Sequence, residues 1–218
     1  RQYGALRLMR SGVRVMDPNA CYVGPQVQVG EGTVLLPGTI LRGRTVIGKN
    51  CEIGPNSMVR DCAVGEGVSI NASQLNESTV EEGATVGPFA YIRPGCHVGP
   101  HVKVGDFVEL KNSTIGEGTK ISHLTYVGDS DVGGHVNFGC GTVTVNYDGA
   151  QKYRTTIGDN AFIGCNTNLV APVKVGDGAY TAAGSTITDE VPADSLAIAR
   201  TRQTVKKQWA AKRRARRR

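Results

Sequence analysis

The sequence has few aromatic residues and no long hydrophobic segment. Phe, Trp and Tyr together make up 6% of its 218 residues, and this scarcity argues against a layered globular core. No apolar run approaches the roughly 20 residues that span a bilayer, and no signal peptide opens the chain. We therefore expect a cytoplasmic protein that does not contact a membrane. Glycine is abundant, with 29 residues, which favours short strands joined by tight turns.

The cysteines follow neither a metal-binding nor a disulfide pattern. No CxxC pair and no regular framework occurs among Cys21, Cys51, Cys62, Cys96, Cys140 and Cys165. This distribution favours free thiols in a reducing compartment.

The positive charge of the chain is concentrated at its end. The last thirteen residues, KKQWAAKRRARRR, hold eight basic groups and no acid, and without these eight the formal net charge of +6 falls to −2. A block of like charge is typical of a solvated tail, and contact with an anionic surface is the alternative. We expect no specific binding of nucleic acid.

An aliphatic residue recurs every six positions, as in CYVGPQVQVGEG and TVIGKNCEIGPN. Steps of five residues interrupt this period in five places, and the pattern pauses within NFGCGTVTVNYDGAQKYRTTIG before it resumes at Ile157. The predicted inward residues are Val23, Val29, Leu35, Leu41, Ile47, Ile53, Val59, Val64, Ile70, Leu75, Val80, Val86, Ile92, Val98, Val104, Leu110, Ile115, Ile121, Val127, Val132, Phe138, Ile157, Ile163, Leu169, Val175 and Ile187.

A period of six fits neither a helix face nor simple strand alternation, but it suits a short strand followed by a turn. The pattern predicts an all-β fold, a left-handed parallel β-helix in which three hexads close a coil of about 18 residues and coils stack at about 4.8 Å. The left-handed winding is an expectation from the class of hexapeptide coils. Because such a prism has open ends and apolar sides, we expect a homotrimer.

The predicted organisation has three parts. Residues 1–18 contain the end of a helix, residues 19–190 form the β-helix with a protruding loop at 146–154, and residues 191–218 form an arm and the basic tail. In the loop, Asp148 and Gly149 favour a sharp turn.

Stacking predicts a column of polar residues along one face, each following an inward residue by one position: Arg42, Arg60, Asn76, Arg93 and Lys111. Two adjacent cations repel unless an anion neutralises them, so Arg93 and Lys111 form a candidate anion site. A solvated basic stripe is the alternative. The same register places His123 one coil above this pair, with Tyr126 close by.

The histidines raise the alternative of a zinc site like that of the γ-class carbonic anhydrases, which share the hexapeptide fold. The spacings between His97, His101, His123 and His135 do not bring three imidazoles to one corner, so we expect no metal.

Longer motifs carry a more specific signal than the period. GPFAYIRPG, FVELKNSTIGEGTKISHLTYVGD, VNFGCGTVTVNYDGAQKYRTTIG, LVAPVKVGDGAYTAAGSTIT and LAIAR occur in this order. They resemble the acetyltransferase domain of the bacterial bifunctional glucosamine-1-phosphate acetyltransferase/N-acetylglucosamine-1-phosphate uridyltransferase family over almost the whole chain. The uridyltransferase half, with its Mg²⁺ site, is not in the sequence, and the opening helix resembles the end of the connector to it.

The resemblance implies acetyl transfer from acetyl-CoA to the amine of glucosamine 1-phosphate, in the synthesis of UDP-N-acetylglucosamine and cell-wall precursors. It implies that His123 is the general base, a role suited to imidazole near neutral pH. It also implies that the sugar phosphate and sugar contact Arg93, Lys111, Lys152, Tyr126 and Asn137.

The resemblance further implies an acetyl-CoA groove between subunits, lined by Cys140, Asn146, Tyr147, Cys165, Ala183 and Arg200. Family members often carry Ala and Ser where this chain has Cys140 and Cys165. Because both positions are small, this departure affects side-chain hydrogen bonds more than activity.

Two other functional classes fit the β-helix. One is a non-catalytic β-helix that trimerises or regulates a sugar-nucleotide enzyme, and the other is an acetyltransferase for a different amine or hydroxyl. His123 and the loop lysine argue against a scaffold, since a scaffold needs neither.

Overall fold

The computed structural model describes residues 2–216. In this part of the chain an α-helix at Gln2–Arg10 precedes 30 strands of two to four residues, and a second helix follows at Trp209–Ala215. Neighbouring strands in each sheet are parallel and three places apart in the sequence, except that the last strand pairs with the strand two places before it, so the chain coils around three sheets.

Each sheet is one face of the prism. The first face contains Arg14–Val15, Val34–Leu35, Glu52–Ile53, Ser69–Ile70, Thr85–Val86, Lys103–Asp106, Lys120–His123, Asn137–Phe138, Phe162–Ile163, Tyr180–Thr181 and Leu196–Ala197. The second face contains Tyr22–Val23, Ile40–Arg42, Met58–Arg60, Gln74–Asn76, Tyr91–Ile92, Glu109–Lys111, Tyr126–Gly128, Val143–Val145, Asn168–Val170 and Thr186–Ile187. The third face contains Gln28–Val29, Val46–Ile47, Ala63–Val64, Thr79–Val80, His97–Val98, Thr114–Ile115, Ser130–Val132, Thr155–Ile157 and Val173–Val175.

This architecture confirms the predicted parallel β-helix. Strand order and register do not give the hand of the coil, so its left-handed winding stays a prediction. No helix within residues 2–216 has both the length and the apolar character needed to cross a bilayer.

The core is a column of inward side chains stacked along the axis. All the predicted inward residues are buried except Val23 and Val29, which are half-buried near the first coils. The five-residue steps also keep the register, because Leu110 and Ile115 on either side of one step are both fully buried. Burial of each aliphatic side chain contributes about 1.5 to 3 kcal/mol, which makes the period six a direct consequence of the hydrophobic effect.

Two inward positions are polar and lay outside the predicted list. Thr144 pairs with Leu169, and Thr181 pairs with Ile163. Both side chains are buried, and their hydroxyl oxygens accept hydrogen bonds from the backbone N–H groups of Gly128 and Gly164. A hydroxyl can therefore replace an aliphatic residue at an inward position where the neighbouring coil offers a donor.

The pause in the period is shorter than the sequence indicated. Regular pairing continues through Val143–Val145 and resumes at Thr155–Ile157. Between them the chain forms a hairpin, with an antiparallel bridge between Tyr147 and Lys152. The Asp148 carboxylate accepts hydrogen bonds from the backbone N–H groups of Ala150 and Gln151 at 2.8 and 2.7 Å, and Gly149 has a φ of +100° that favours glycine.

The coils extend further than residues 19–190. The strand Arg14–Val15 already pairs with Val34–Leu35, and Leu196–Ala197 pairs with Tyr180–Thr181. The first helix covers the open end of the stack, because Ala5 and Leu8 are buried against the first strands. The helix Trp209–Ala215 buries none of its residues.

Candidate functional site

The predicted polar column exists on the second face. Arg60 pairs with Arg42 on one side and with Asn76 on the other. One coil above Asn76, the N–H group of Arg93 donates to the carbonyl of Leu110, which puts Arg93 level with Lys111. The prediction that these residues share one face is confirmed.

Arg93 and Lys111 each have a carboxylate partner that the sequence argument did not include. Arg93 donates to the Glu109 carboxylate at 2.9 Å, and Lys111 donates to the Asp129 carboxylate at 3.1 Å. The two carboxylates remove most of the repulsion that the sequence argument assumed.

The hairpin places a third cation, Lys152, at this edge of the second face. Within residues 2–216 Lys152 forms no ion pair, and its ammonium group lies beside that of Lys111. The Lys111 ammonium, more than any other neighbour, lowers the pKa of Lys152, and Arg93 adds to the effect. Arg93, Lys111 and Lys152 therefore converge at one edge of the second face, where an anion would relieve their repulsion.

A buried carboxylate organises this edge, and it was absent from the predicted site. Asp129 has a left-handed φ of +48° at the corner between the second and third faces. Its carboxylate accepts hydrogen bonds from Lys111 Nζ, Asn112 Nδ2 and Asn146 Nδ2. Burial raises the pKa of Asp129, but the three hydrogen bonds outweigh burial and hold the pKa below its ordinary value.

Tyr126 and Asn146 connect this cluster to the middle of the second face. Asn146 donates from Nδ2 to the phenol oxygen of Tyr126 at 3.3 Å. Tyr126 lies between Glu109 and Val143 in the column of outward residues. The phenol ring therefore lies on the face that separates the cationic edge from His123.

His123 lies one coil above Lys111, as the register predicted, but on a different face of the prism. Lys111 pairs with Gly128, whereas His123 ends the strand Lys120–His123 on the first face and pairs with Asp106. The inward residue Ile121 belongs to the first face, and the chain turns at Leu124 before it enters the second face. The imidazole consequently lies at the opposite edge of the second face from Lys111.

Asp106 is the immediate partner of His123. The Asp106 carboxylate oxygen Oδ1 lies 2.7 Å from His123 Nδ1, and both side chains are open to solvent. The hydrogen bond to His123 lowers the pKa of Asp106 below its ordinary value, so the carboxylate is ionised at neutral pH. This pairing leaves Nε2 of the imidazole available to a substrate.

Three of the predicted acetyl-CoA residues lie along the same edge as His123. Ile121 pairs with Phe138, Phe138 with Ile163, and Ile163 with Thr181. The residues two positions after these are therefore aligned as well, which places Cys140, Cys165 and Ala183 above His123 in successive coils. Backbone hydrogen bonds of 2.8 Å keep this register, from Asn166 N to the carbonyl of Cys140 and from Gly184 N to that of Cys165.

The remaining predicted residues do not all lie at this edge, since the hairpin that contains Tyr147 is at the opposite edge of the second face. Asn137 is in the outward column of the first face, between Lys120 and Phe162. Tyr147 is exposed on the hairpin, where its hydroxyl donates to the carbonyl of Gly149 at 2.6 Å. The side chain of Arg200 lies beside Gly184, one residue beyond Ala183.

The described residues contain no group of three or more His, Cys, Asp or Glu side chains placed to hold a metal ion. The histidines lie apart: His97 pairs with Glu81 on the third face, while His101 and His135 occupy left-handed turns.

Two residues that sequence reasoning missed could have been found by counting coils. Asp106 precedes His123 by 17 residues, and Asp129 follows Asn112 by 17. Each separation is one coil that contains a five-residue step.

Comparison with known proteins gives a family and a fold. The bacterial transferase hexapeptide family model, with six repeats, matches residues 77–112 and 154–189. Bifunctional protein GlmU from Clostridium kluyveri is 56% identical over 201 residues, which are 92% of this chain and 44% of that protein. Bifunctional protein GlmU from Brevibacillus brevis is 54% identical over 204 residues, 94% of this chain and 44% of that protein. The chain thus spans less than half the length of the curated relatives it matches.

Among solved structures, the UDP-N-acetylglucosamine acyltransferase of Francisella novicida is similar with a TM-score of 0.55. The alignment covers 85% of this chain and 66% of that one, at 14% identity. At this identity the likeness shows the fold alone.

Proposed function

The chain belongs to the GlmU family, in which it matches the hexapeptide-repeat acetyltransferase domain, and from this membership we propose that it acetylates glucosamine 1-phosphate with acetyl-CoA. The product would be N-acetylglucosamine 1-phosphate, the precursor of UDP-N-acetylglucosamine. The observation that carries the proposal is the placement of an Asp106–His123 pair and a three-cation cluster at opposite edges of one face. A scaffold would need neither feature.

His123 acts as general base in the proposed mechanism. Asp106 fixes the tautomer by accepting the hydrogen bond from Nδ1–H, so Nε2 takes a proton from the substrate ammonium. The free amine attacks the thioester carbonyl and forms a C–N bond. The tetrahedral oxyanion then collapses, the C–S bond breaks, and the leaving CoA thiolate receives the second proton that the nitrogen loses.

Arg93, Lys111 and Lys152 bind the phosphate in this proposal. The close approach of Lys111 and Lys152 supports it, since a dianion between the two ammonium groups replaces repulsion with two charge-assisted contacts. Tyr126 contacts the sugar from the second face, between the phosphate and the base, and Asn137 contacts it from the first face.

Acetyl-CoA lies along the edge that continues from His123, against Cys140, Cys165 and Ala183. Arg200, beside Gly184, provides a cation for its phosphates. Asn146 and Tyr147 lie at the opposite edge of the second face, so in this proposal they contact acetyl-CoA across the groove between subunits. A homotrimer with this groove between subunits, a cytoplasmic location and a domain that needs no metal stay predictions.

The choice of acceptor is tested by CoA release measured with a panel of acceptors. We expect glucosamine 1-phosphate to be used and plain glucosamine to be a poor substrate, because glucosamine lacks the anion that the three cations bind. Serine and other amino sugars complete the panel. Equal rates with glucosamine and its phosphate would contradict the proposal.

Asp106→Asn should lower turnover roughly tenfold to hundredfold, with little change in the Michaelis constant for acetyl-CoA. The amide cannot hold the Nδ1–H tautomer as the carboxylate does, so a smaller fraction of His123 presents a free Nε2. Steady-state kinetics with both substrates check this result. Unchanged turnover would show that Asp106 does not orient the base.

A further inference from the structure

Asp129 occupies a corner where a carboxylate is not needed by the fold. The corner between the second and third faces carries left-handed residues in several coils, including Asp61 with φ +52° and Asn112 with φ +44°. Asp61 is exposed, whereas the Asp129 side chain is 7% exposed. The burial of Asp129 therefore comes from its neighbours and not from the turn itself.

The neighbours of Asp129 come from two different coils. Lys111 and Asn112 lie in the coil before it and donate at 3.1 and 2.7 Å, while Asn146 lies in the coil after it. An ionised carboxylate only accepts hydrogen bonds, so it can satisfy all three donors at once. An amide in its place would direct its own donor toward at least one of them.

Resting on the proposed function, we propose that Asp129 is a positioning residue that holds Lys111 toward the substrate phosphate and Asn146 toward the acetyl donor. The same carboxylate therefore positions one residue of the phosphate-binding region and one residue of the acetyl-CoA-binding region. Asn146 in turn donates to Tyr126, so the position of the phenol ring depends on Asp129 as well. Without the carboxylate, Lys152 would repel Lys111 away from its present position.

Two possible roles of Asp129 predict opposite changes in the Michaelis constant for glucosamine 1-phosphate when its carboxylate is removed. If Asp129 only added negative charge near the phosphate, removing it would strengthen phosphate binding and lower the Michaelis constant for glucosamine 1-phosphate. If Asp129 positions Lys111, removing it weakens the phosphate contact, and the Michaelis constant rises. The sign of the change therefore separates the two roles.

The test is Asp129→Asn, which keeps the size of the side chain and removes its charge. We expect the Michaelis constant for glucosamine 1-phosphate to rise about tenfold to hundredfold, while turnover at saturation changes much less. Asp61→Asn is the matched control, because Asp61 has the same corner position and backbone conformation, and we expect wild-type kinetics. A merely structural role would lower the active fraction and leave both Michaelis constants unchanged.

A second variant covers the case in which Asp129→Asn does not fold. Asn112→Ala removes one donor to the carboxylate at an exposed position and should raise the same Michaelis constant about twofold to tenfold. An unchanged or lower Michaelis constant in the folded Asp129→Asn variant overturns the inference, and so does an unchanged constant in Asn112→Ala if the first variant unfolds. If the unmodified protein fails to acetylate glucosamine 1-phosphate, the proposed function is wrong and the inference falls with it.

Discussion

His123→Ala should lower turnover by about 10² to 10⁴ while acetyl-CoA binding stays near normal. A general base acts chiefly in the transition state, so its loss reduces the rate more than it reduces binding of the ground state. The exposed imidazole, held by Asp106 at 2.7 Å, fits this role, because Nε2 remains open to the substrate. Single-turnover kinetics and equilibrium binding of acetyl-CoA measure the two quantities separately.

His97→Ala is the matched control for this variant. His97 also contacts a carboxylate, since its Nε2 lies 2.7 Å from Oε1 of Glu81. It lies on the third face, whereas the cationic cluster and His123 border the second face. We expect its turnover to equal that of the unmodified protein. Near-normal turnover of His123→Ala at neutral pH would remove His123 from the mechanism.

Arg93→Ala and Lys111→Ala should each raise the Michaelis constant for glucosamine 1-phosphate about tenfold to hundredfold. A charge-assisted contact to an anion contributes on the order of 1.5 to 3 kcal/mol, which corresponds to that range. Because the proposed function has both cations bind one phosphate, the double variant should lose less than the sum of the two single losses in free energy. Steady-state kinetics of the three variants provide the comparison.

Arg42→Ala serves as the control for the cationic edge. Arg42 belongs to the same column on the second face, but it lies several coils from Lys111, close to the start of the β-helix. We expect it to keep wild-type kinetics. If Arg93→Ala and Lys111→Ala also keep them and change only the salt dependence of weak association, the column is a solvated stripe and not a phosphate site.

Because Lys111 is paired with a buried carboxylate, its removal leaves the charge of Asp129 without its cation, with only the hydrogen bonds from Asn112 and Asn146 remaining. The Lys111 side chain is 17% exposed and that of Asp129 is 7% exposed, so thermal unfolding of Lys111→Ala should be measured beside its kinetics. A loss of stability adds to the kinetic loss but does not change the Michaelis constant of the folded fraction. Glu109, the partner of Arg93, is well exposed, so Arg93→Ala leaves no buried carboxylate without its cation.

The fold followed from the sequence because one physical rule repeats in every coil. Each coil must bury one aliphatic residue per face, so the period of six and its five-residue steps specify the register of residues such as Leu110 and Ile115. The polar column through Arg60 and Lys111 follows from the same register. The inward positions of Thr144 and Thr181 were not predicted, because their burial depends on hydrogen-bond donors in neighbouring coils. A search for aliphatic residues does not detect such donors.

The sequence by itself determined the parallel β-helix, the column that contains Arg93 and Lys111, and the candidate base His123. Only the tertiary structure decided how charges pair between coils: Asp106 with His123, Glu109 with Arg93, and Asp129 with Lys111. Periodic burial is a property of single residues and can be read along the chain, whereas ion pairing depends on corners that turn a residue from one face to the next. That is why His123 lies across the second face from Lys111 and not directly above it.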